Sequence, residues 1–221
     1  MEVTQAVAAR RSVRGFLDRE VDLATLRDLA IKSARAATGG NIQPWHVDIV
    51  HGASMARLKA IMAGKIERRE TETPGYDIYP KEMDDLYRQR TFAIGEEMYG
   101  RLGIPREDKK ARAIWFARNF QFFGAPAAYF VTVDRRMGPP QWSDLGMYLQ
   151  TLMLLAVEHG LATCPQECWA VYPKTVEAFL EVPAERMLFC GVAIGFEDTA
   201  DPANATRSAR APEEEWLVVR G

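Results

Sequence analysis

The segment from Ser143 to about His159 constrains the fold more than any other part of this sequence. It predicts a long helix that Ser143 caps and Gly160 ends, because a serine side chain accepts hydrogen bonds from first-turn amides and glycine tolerates the backbone that ends a helix. Its apolar residues lie on nearly all sides: Leu145, Tyr148, Leu149, Leu152, Leu155 and Ala156. A helix that is apolar all round is buried on most sides. We therefore expect either a central core helix or a helix buried in a dimer interface.

The composition fits one globular domain and excludes several functional classes. The chain has 221 residues, of which 48% are hydrophobic and 26% charged, so a disordered chain is excluded. The net charge of −2 argues against a nucleic-acid binder, which needs a basic surplus. Three cysteines are too few for a disulfide scaffold. The longest uncharged runs, 119–133 and 145–157, are shorter than the roughly 20 residues that cross a bilayer. We expect a soluble, cytoplasmic protein.

The remaining pattern is helix-rich with scattered strands, which predicts the α+β class. Predicted helices cover Thr4–Arg11, Leu23 to about Ala37, Met55–Met62, Lys81–Leu102, Pro105–Phe116 and Pro173–Leu180. Predicted strands cover Val47–Val50, Tyr129–Val133, Met187–Ile194 and Glu215–Val219. The charged stretch Lys65–Asp77 contains Pro74-Gly75 and predicts a mobile loop.

Common catalytic and metal motifs are absent from the sequence. It contains no Gly-x-Gly-x-x-Gly, no Walker loop and no Gly-x-Ser-x-Gly elbow. Cys164 and Cys168 have the wrong spacing for a redox pair, and no second pair completes a zinc site. The three histidines are dispersed. We therefore expect neither a bound metal nor a side chain that acts as catalytic nucleophile or base.

Three polar patterns point instead to a bound organic cofactor. Arg10-Arg11-Ser12-x-Arg14 offers guanidinium and hydroxyl donors that match phosphate oxygens, although an arginine pair at a helix end is more often a solvated face. Arg207 and Arg210 form a second arginine pair near the C-terminus. The segment Asn41-x-Gln43-Pro44-Trp45 supplies amides that can read a heterocycle edge. Phosphate and amide donors without catalytic side chains indicate that a cofactor performs the chemistry.

Four segments together resemble the FMN-dependent nitroreductase family. They are Arg10–Phe16, Ala37–Trp45, Ser143–Gly146 leading to Gly160-Leu161, and Gly191–Phe196. The resemblance implies an α+β fold with a central antiparallel or mixed sheet flanked by helices and a long central helix. It also implies an interlocked homodimer that binds FMN tightly at the subunit interface. We expect one such domain over residues 1–221, with a helical lid insertion around residues 63–123.

The resemblance also assigns the cofactor contacts residue by residue. The set is Arg10, Arg11, Ser12, Arg14, Thr38, Asn41, Gln43, Asn119, Pro165, Gln166, Glu167, Arg207 and Arg210. Arg10, Ser12, Arg207 and Arg210 correspond to phosphate and ribityl contacts. Arg14 and Asn119 correspond to contacts with the flavin pyrimidine. Thr38, Asn41 and Gln43 correspond to contacts from the partner subunit. The loop 165–167 corresponds to the backbone facing the flavin N5. Two departures are Phe122, where some members have lysine, and Cys168, where the family usually has glycine nearby.

The implied activity is ping-pong transfer of hydride from NAD(P)H, through the flavin, to a small aromatic acceptor. The acceptor is nitroaromatic or quinone-like, and Tyr76, Phe122 and Phe123 are predicted to contact it. Two alternatives stay open. One is a specialised member of the same fold, either a reductive dehalogenase or the enzyme that destroys flavin in cobalamin lower-ligand synthesis. The dehalogenase lid signature is not found in the stretch 67–81. The other alternative is a flavin-binding protein without turnover.

Overall fold

The computed structural model of the chain describes all 221 residues as a four-stranded sheet with seven α-helices. The helices are α1 Val3–Ala9, α2 Leu23–Ser33, α3 Gly52–Glu67, α4 Asp85–Arg101, α5 Lys109–Ala117, α6 Pro139–Glu158 and α7 Pro173–Phe179. The strands are β1 His46–His51, β2 Ala127–Asp134, β3 Ala162–Gln166 and β4 Arg186–Gly195. The α+β class predicted from the sequence is confirmed. None of the helices combines the length and the apolar character needed to span a membrane.

The sheet is antiparallel throughout and has the order β1-β2-β4-β3. Every residue of β2 except Asp134 is buried, so both faces of this strand are covered. Ala128 and Phe130 belong to the core on the α3 side, whereas Tyr129 and Val131 belong to the core on the α6 side. This alternation follows from the period of two residues along a strand. The sheet therefore separates two apolar layers.

The long helix α6 confirms the expectation of a central helix, but its start is earlier than predicted. It begins at Pro139, because proline at the first helical position loses no intrahelical hydrogen bond. Ser143 lies inside the helix, where its hydroxyl donates to the Pro140 carbonyl at 2.6 Å. One face packs against α2 and the sheet, while Gly146, Met147 and Gln150 remain exposed. The chain alone therefore does not bury all sides of α6.

Several predicted boundaries need correction. The strand predicted at Glu215–Val219 is wrong: a short 3-10 turn covers Glu213–Glu215, and the rest of the tail is exposed without regular structure. A strand needs a neighbouring strand for its hydrogen bonds, and the tail pairs with none of the four strands. The helices predicted from Lys81 and Pro105 begin later, at Asp85 and Lys109.

The stretch predicted as a loop at Lys65–Asp77 is partly helical. Helix α3 continues through Glu67 before the chain leaves regular structure. Beyond it, Glu72 accepts hydrogen bonds from the backbone amide and the hydroxyl of Thr175, at 3.2 Å for the amide. Lys65 pairs with Glu70 at 2.9 Å, and the Gly75 amide donates to the Ala170 carbonyl at 2.9 Å. These contacts attach the segment to the region around α7.

Candidate active site

Two adjoining clefts collect most of the predicted site residues. The first cleft has a volume of 370 Å³ and contains Ser12 and every arginine of the predicted cofactor site: Arg10, Arg11, Arg14, Arg207 and Arg210. The arginines from the two ends of the sequence therefore lie in one place. No carboxylate lines this cleft. Such a surplus of positive charge suits an anion with several oxygens.

The second cleft has a volume of 460 Å³ and is lined by amides and aromatic rings. Asn119, Pro165, Gln166 and Glu167, which the sequence analysis assigns to the heterocycle end of a cofactor site, all line this cleft. Its aromatic residues are Tyr79, Tyr99, Trp115 and Phe116. The two clefts share Arg14, Ile94 and Thr206. Together they form one elongated site, cationic at one end and flat-walled at the other.

Backbone pairing explains why the arginine segment meets the loop after β3. Ser12 forms a parallel bridge with Thr163, and the Val13 amide donates to the Thr163 carbonyl at 2.9 Å. This bridge attaches the N-terminal segment to the outer edge of β3. It places Arg14 in one cleft with Pro165 and Gln166, at the end of β3, and with Glu167, where the next turn begins. The edge strand that the sequence did not predict is therefore the element that assembles the site.

A buried asparagine, Asn204, fixes the other arginine pair, and the sequence analysis missed it. Its Oδ1 accepts from the Arg14 amide at 2.7 Å, and its Nδ2 donates to the carbonyls of Gly15 and Asp198, each at 2.8 Å. A side chain at Gly15 would collide with the carboxyl group of Asp201. These contacts hold the turn that precedes Arg207. An Asp-Pro-Ala-Asn turn was the only sequence signal for it.

A chain of polar contacts lies behind the second cleft. The Gln166 Nε2 donates to Asn119, at 2.7 Å to the backbone oxygen and 3.3 Å to Oδ1. The Asn119 Nδ2 donates to the Phe116 carbonyl at 2.8 Å. The buried Trp169 donates its indole N–H to the Gln166 Oε1 at 3.3 Å. Both amide side chains that line the cleft are therefore held on their protein side.

The arginines of the first cleft differ in their partners. Arg11 forms an ion pair with Glu197, at the edge of a separate small cavity of 190 Å³. Arg10, Arg14, Arg207 and Arg210 pair with no carboxylate. Of the five arginines in this cleft, Arg11 is thus the one whose charge is already neutralised within the chain.

The segment from Thr38 to Gln43 lines neither cleft of its own chain. It forms an exposed turn that is anchored to α6, because the buried Asp144 accepts from the Thr38 hydroxyl at 2.9 Å and from the Gly39 amide at 3.2 Å. The Thr38 hydroxyl in turn accepts from the Gln43 amide at 3.0 Å. Asp144 is a second site-supporting residue that the sequence analysis missed. Its only sequence signal is the Ser143–Gly146 segment.

The predicted acceptor contacts need correction. Phe122 and Phe123 are 0% and 1% exposed and belong to the core, where Phe122 packs on Trp169 at 4.8 Å between ring centroids. The turn 118–124 directs both side chains inward. Burying two phenyl groups is favourable because it removes apolar surface from water. Tyr76 donates its hydroxyl to the Phe189 carbonyl and lies outside both clefts.

Cys168, the residue that departs from the family pattern, lines the second cleft next to Glu167. Burial raises the pKa of this thiol well above its ordinary value. A neutral thiol is a weak nucleophile, so the position supplies bulk rather than reactivity.

Comparison with known proteins gives consistent matches over the whole chain. A family model described as the nitroreductase family matches residues 7–196. A 4-nitrobenzoate reductase of Nocardioides sp. (strain LMS-CY) is 33% identical over 96% of this chain and 87% of its own length. The crystal structure of the FMN and NADPH-dependent nitroreductase NfnB from Sphigopyxis sp. strain HMH is 44% identical, with a TM-score of 0.96 over 100% of both chains. NfnB from Mycobacterium smegmatis in complex with NADPH is 29% identical, with a TM-score of 0.93 over 100% of both chains.

Proposed function

The chain belongs to the nitroreductase family, and from this premise we propose that it is an FMN-dependent oxidoreductase that uses NADPH to reduce nitroaromatic compounds. The observation that carries the proposal is the elongated site formed by the two clefts, with free arginines at one end and amides between aromatic walls at the other. The similar proteins named as FMN and NADPH-dependent support the choice of cofactor and of hydride donor.

The residues of the site fit FMN on observations from this structure. The acid-free arginine cleft matches a phosphate monoester, which carries up to two negative charges. Four buried polar side-chain atoms have no partner within the chain, and three of them belong to residues that line the clefts: Arg11 Nε, Thr206 Oγ1 and Trp115 Nε1. Buried polar atoms are rarely left unpaired, so a bound polar molecule or its water shell accounts for them.

We assign roles to the residues accordingly. Arg10, Arg207 and Arg210 hold the phosphate, and Ser12 adds a hydroxyl donor. Asn119 presents its amide to the heterocycle, and Gln166 holds Asn119 from behind. When bound, FMN supplies a two-electron carrier that accepts hydride from NADPH and returns it to an acceptor. Arg14 places a fixed cation beside the heterocycle, where it stabilises the negative charge of the reduced form. The aromatic walls orient planar donors and acceptors, and no acid or base side chain is required.

We assign the covering of the second cleft to the segment 63–123. Many residues of that cleft's wall come from this segment: Ile78, Tyr79, Thr91, Ile94, Gly95, Met98, Tyr99, Trp115, Phe116 and Asn119. Helix α4 has no buried residue, and it meets the core through partly buried side chains such as Met98 and Tyr99. A helix without buried residues can shift to admit different planar molecules. This segment is therefore the lid of the single domain and selects the acceptor.

We further infer that the working form is a homodimer with two shared sites. Thr38, Asn41 and Gln43 then reach the cofactor of the partner chain, since they line neither cleft of their own. The exposed face of α6 and the apolar tail from Trp216 to Val219, whose residues are 45–85% exposed, supply surface for the second copy. Exposed apolar groups gathered in this way favour association.

The proposal is tested by binding and turnover on the purified chain. Apoprotein titrated with FMN should quench the flavin fluorescence at one FMN per chain. NADPH should then bleach the flavin absorbance without oxygen, and a nitroarene should restore it. Quinones and nitroarenes belong in one acceptor panel. A chain that binds no FMN contradicts the proposal, and bleaching without reoxidation by any acceptor contradicts the reductase activity.

A further inference from the structure

We propose that Trp169 is a positioning residue for the cofactor, acting through Gln166 and Asn119. The inference rests on the proposed function, because it assumes that the second cleft takes the heterocycle of FMN. Trp169 is 0% exposed and does not line either cleft. It reaches the site only through its indole N–H, which donates to the Gln166 Oε1 at 3.3 Å.

Close packing in the core holds the indole of Trp169 in one orientation. The rings of Phe120, Phe122 and Phe130 surround it at centroid distances of 5.3, 4.8 and 5.2 Å. On the sheet side, the indole edge lies against Gly191, where an added Cβ would be 2.6 Å from Cδ1 and 2.9 Å from Nε1. A close-packed ring of this size does not change rotamer without displacing its neighbours. The N–H therefore points in a fixed direction.

That direction determines which way the Gln166 amide faces. An indole N–H only donates, so it selects the orientation in which Oε1 faces Trp169. Nε2 then faces Asn119 and donates to its backbone oxygen at 2.7 Å and to Oδ1 at 3.3 Å. In the flipped amide, Oε1 would meet two oxygens and Nε2 would meet the indole N–H. An acceptor would then face acceptors and a donor would face a donor, so the flipped amide is unfavourable.

The consequence appears at Asn119, which lines the second cleft. Its Oδ1 is held by Gln166, and its Nδ2 is held by the Phe116 carbonyl at 2.8 Å. Each group can make one more hydrogen bond: Oδ1 has a second lone pair, and Nδ2 has a second hydrogen. A heterocycle edge that alternates N–H and C=O is the complement of this pair. The donor also favours the reduced form, whose carbonyl oxygens are more negative.

Trp169→Phe tests the proposal, because it keeps an aromatic ring and removes the N–H. We expect the FMN dissociation constant of the apoprotein to rise about three- to tenfold. We also expect the midpoint potential of the bound flavin to fall, a shift that a merely structural role would not produce. Trp142→Phe is the matched control. It also removes an indole hydrogen bond, to the Met137 carbonyl at 3.2 Å, but outside both clefts.

A double-mutant cycle shows whether Trp169 acts through Asn119. In an Asn119→Ala background, Trp169→Phe should cause no further change in FMN affinity or potential. Additive effects overturn the proposal, as does an effect of Trp142→Phe equal to that of Trp169→Phe. If Trp169→Phe does not fold, Gln166→Leu cuts the same link from the other side, and it must also fail to add to Asn119→Ala. FMN binding by the wild-type chain separates the two questions, because its absence contradicts the proposed function itself.

Discussion

Arg10 and Arg11 are adjacent in the chain but have different electrostatic surroundings. Arg11 is paired with Glu197, whose side chain is 18% exposed, whereas Arg10 lines the acid-free cleft without an ion pair. We therefore expect Arg10→Ala to weaken FMN binding about 10- to 100-fold, the range for losing a charge-assisted hydrogen bond, and to leave the unfolding midpoint unchanged. FMN titration and urea unfolding of the apoprotein measure the two effects.

Arg11→Ala is the matched variant and should show the opposite pattern. It leaves a half-buried carboxylate without its partner, so the free energy of unfolding should fall by about 1–2 kcal/mol. FMN affinity should change less than in Arg10→Ala. Equal losses of affinity in the two variants would mean that the cleft responds to total charge rather than to the unpaired arginine.

The three thiols should be unreactive in the folded protein. Burial raises the pKa of Cys164 to about 11 and also raises the pKa of Cys168 and Cys190. At pH 8 each thiol is then almost entirely protonated, and thiolate is the form that attacks a disulfide reagent. We expect slow reaction with 5,5′-dithiobis(2-nitrobenzoate) in buffer and rapid release of all three equivalents in urea. One equivalent reacting at once in buffer would identify Cys168 as an accessible thiolate, and Cys168→Ser would remove that phase.

At the level of elements, the central strands and long helices were predictable, but the edges of the sheet were not. Strands β2 and β4 are runs of apolar, β-branched and aromatic residues, a local pattern that predicts a strand. Strand β3 contains Pro165, which lacks an N–H and argues against a strand. The structure tolerates it because β3 is an edge strand that pairs with β4 on one side.

The site was predictable in its residue types more than in its arrangement. Sequence motifs and the family resemblance predicted the arginine groups and the loop 165–167 as site residues. In the structure these residues line two adjoining clefts. The inward direction of Phe122 depends on Trp169, a partner distant in sequence that no local pattern reveals. The tail from Glu215 to Val219 was predicted as a strand from its residues alone, but a strand also requires a pairing partner, and the tail pairs with none. Asn204 and Asp144 were missed because their importance lies in long-range hydrogen bonds.

The contact between β4 and the turn after β3 gives a prediction for an element. An added Cβ at Gly191 would lie 2.6 Å from Trp169 Cδ1 and 3.2 Å from the Phe130 ring, and neither ring has room to move. We expect Gly191→Ala to lower the free energy of unfolding by about 1–3 kcal/mol, the usual cost of overpacking. Gly100→Ala in α4 is the control. Nothing lies within 4 Å of its added Cβ, so the helix should gain stability. Urea unfolding distinguishes the two, and an unaffected Gly191→Ala would contradict the tight packing of Trp169.

At the scale of the whole molecule, the apolar helix α6 is the sequence feature that limits the fold most, yet the single chain does not bury it completely. Helix α6 fills the core with one face and exposes Gly146, Met147 and Gln150 on the other. The same helix anchors the Thr38–Gln43 turn through Asp144, outside both clefts of its own chain. A dimer formed over this face would bury the helix and carry the turn toward the partner's site. The hypothesis of a dimer and the hypothesis of a shared site therefore stand or fall together.

Mixed dimers test that hypothesis directly. Chains carrying Arg10→Ala and chains carrying Gln43→Ala, with different affinity tags, can be expressed together and the heterodimer isolated on both tags. If each site takes Arg10 from one chain and Gln43 from its partner, the heterodimer has one site with both substitutions and one with neither. Half of its sites should then bind FMN with wild-type affinity, although neither parent homodimer has such a site. If both residues serve the same chain's site, every site carries one substitution and no wild-type affinity returns. A doubly tagged wild-type dimer fixes the full stoichiometry, so the fluorescence titration decides between half occupancy and none.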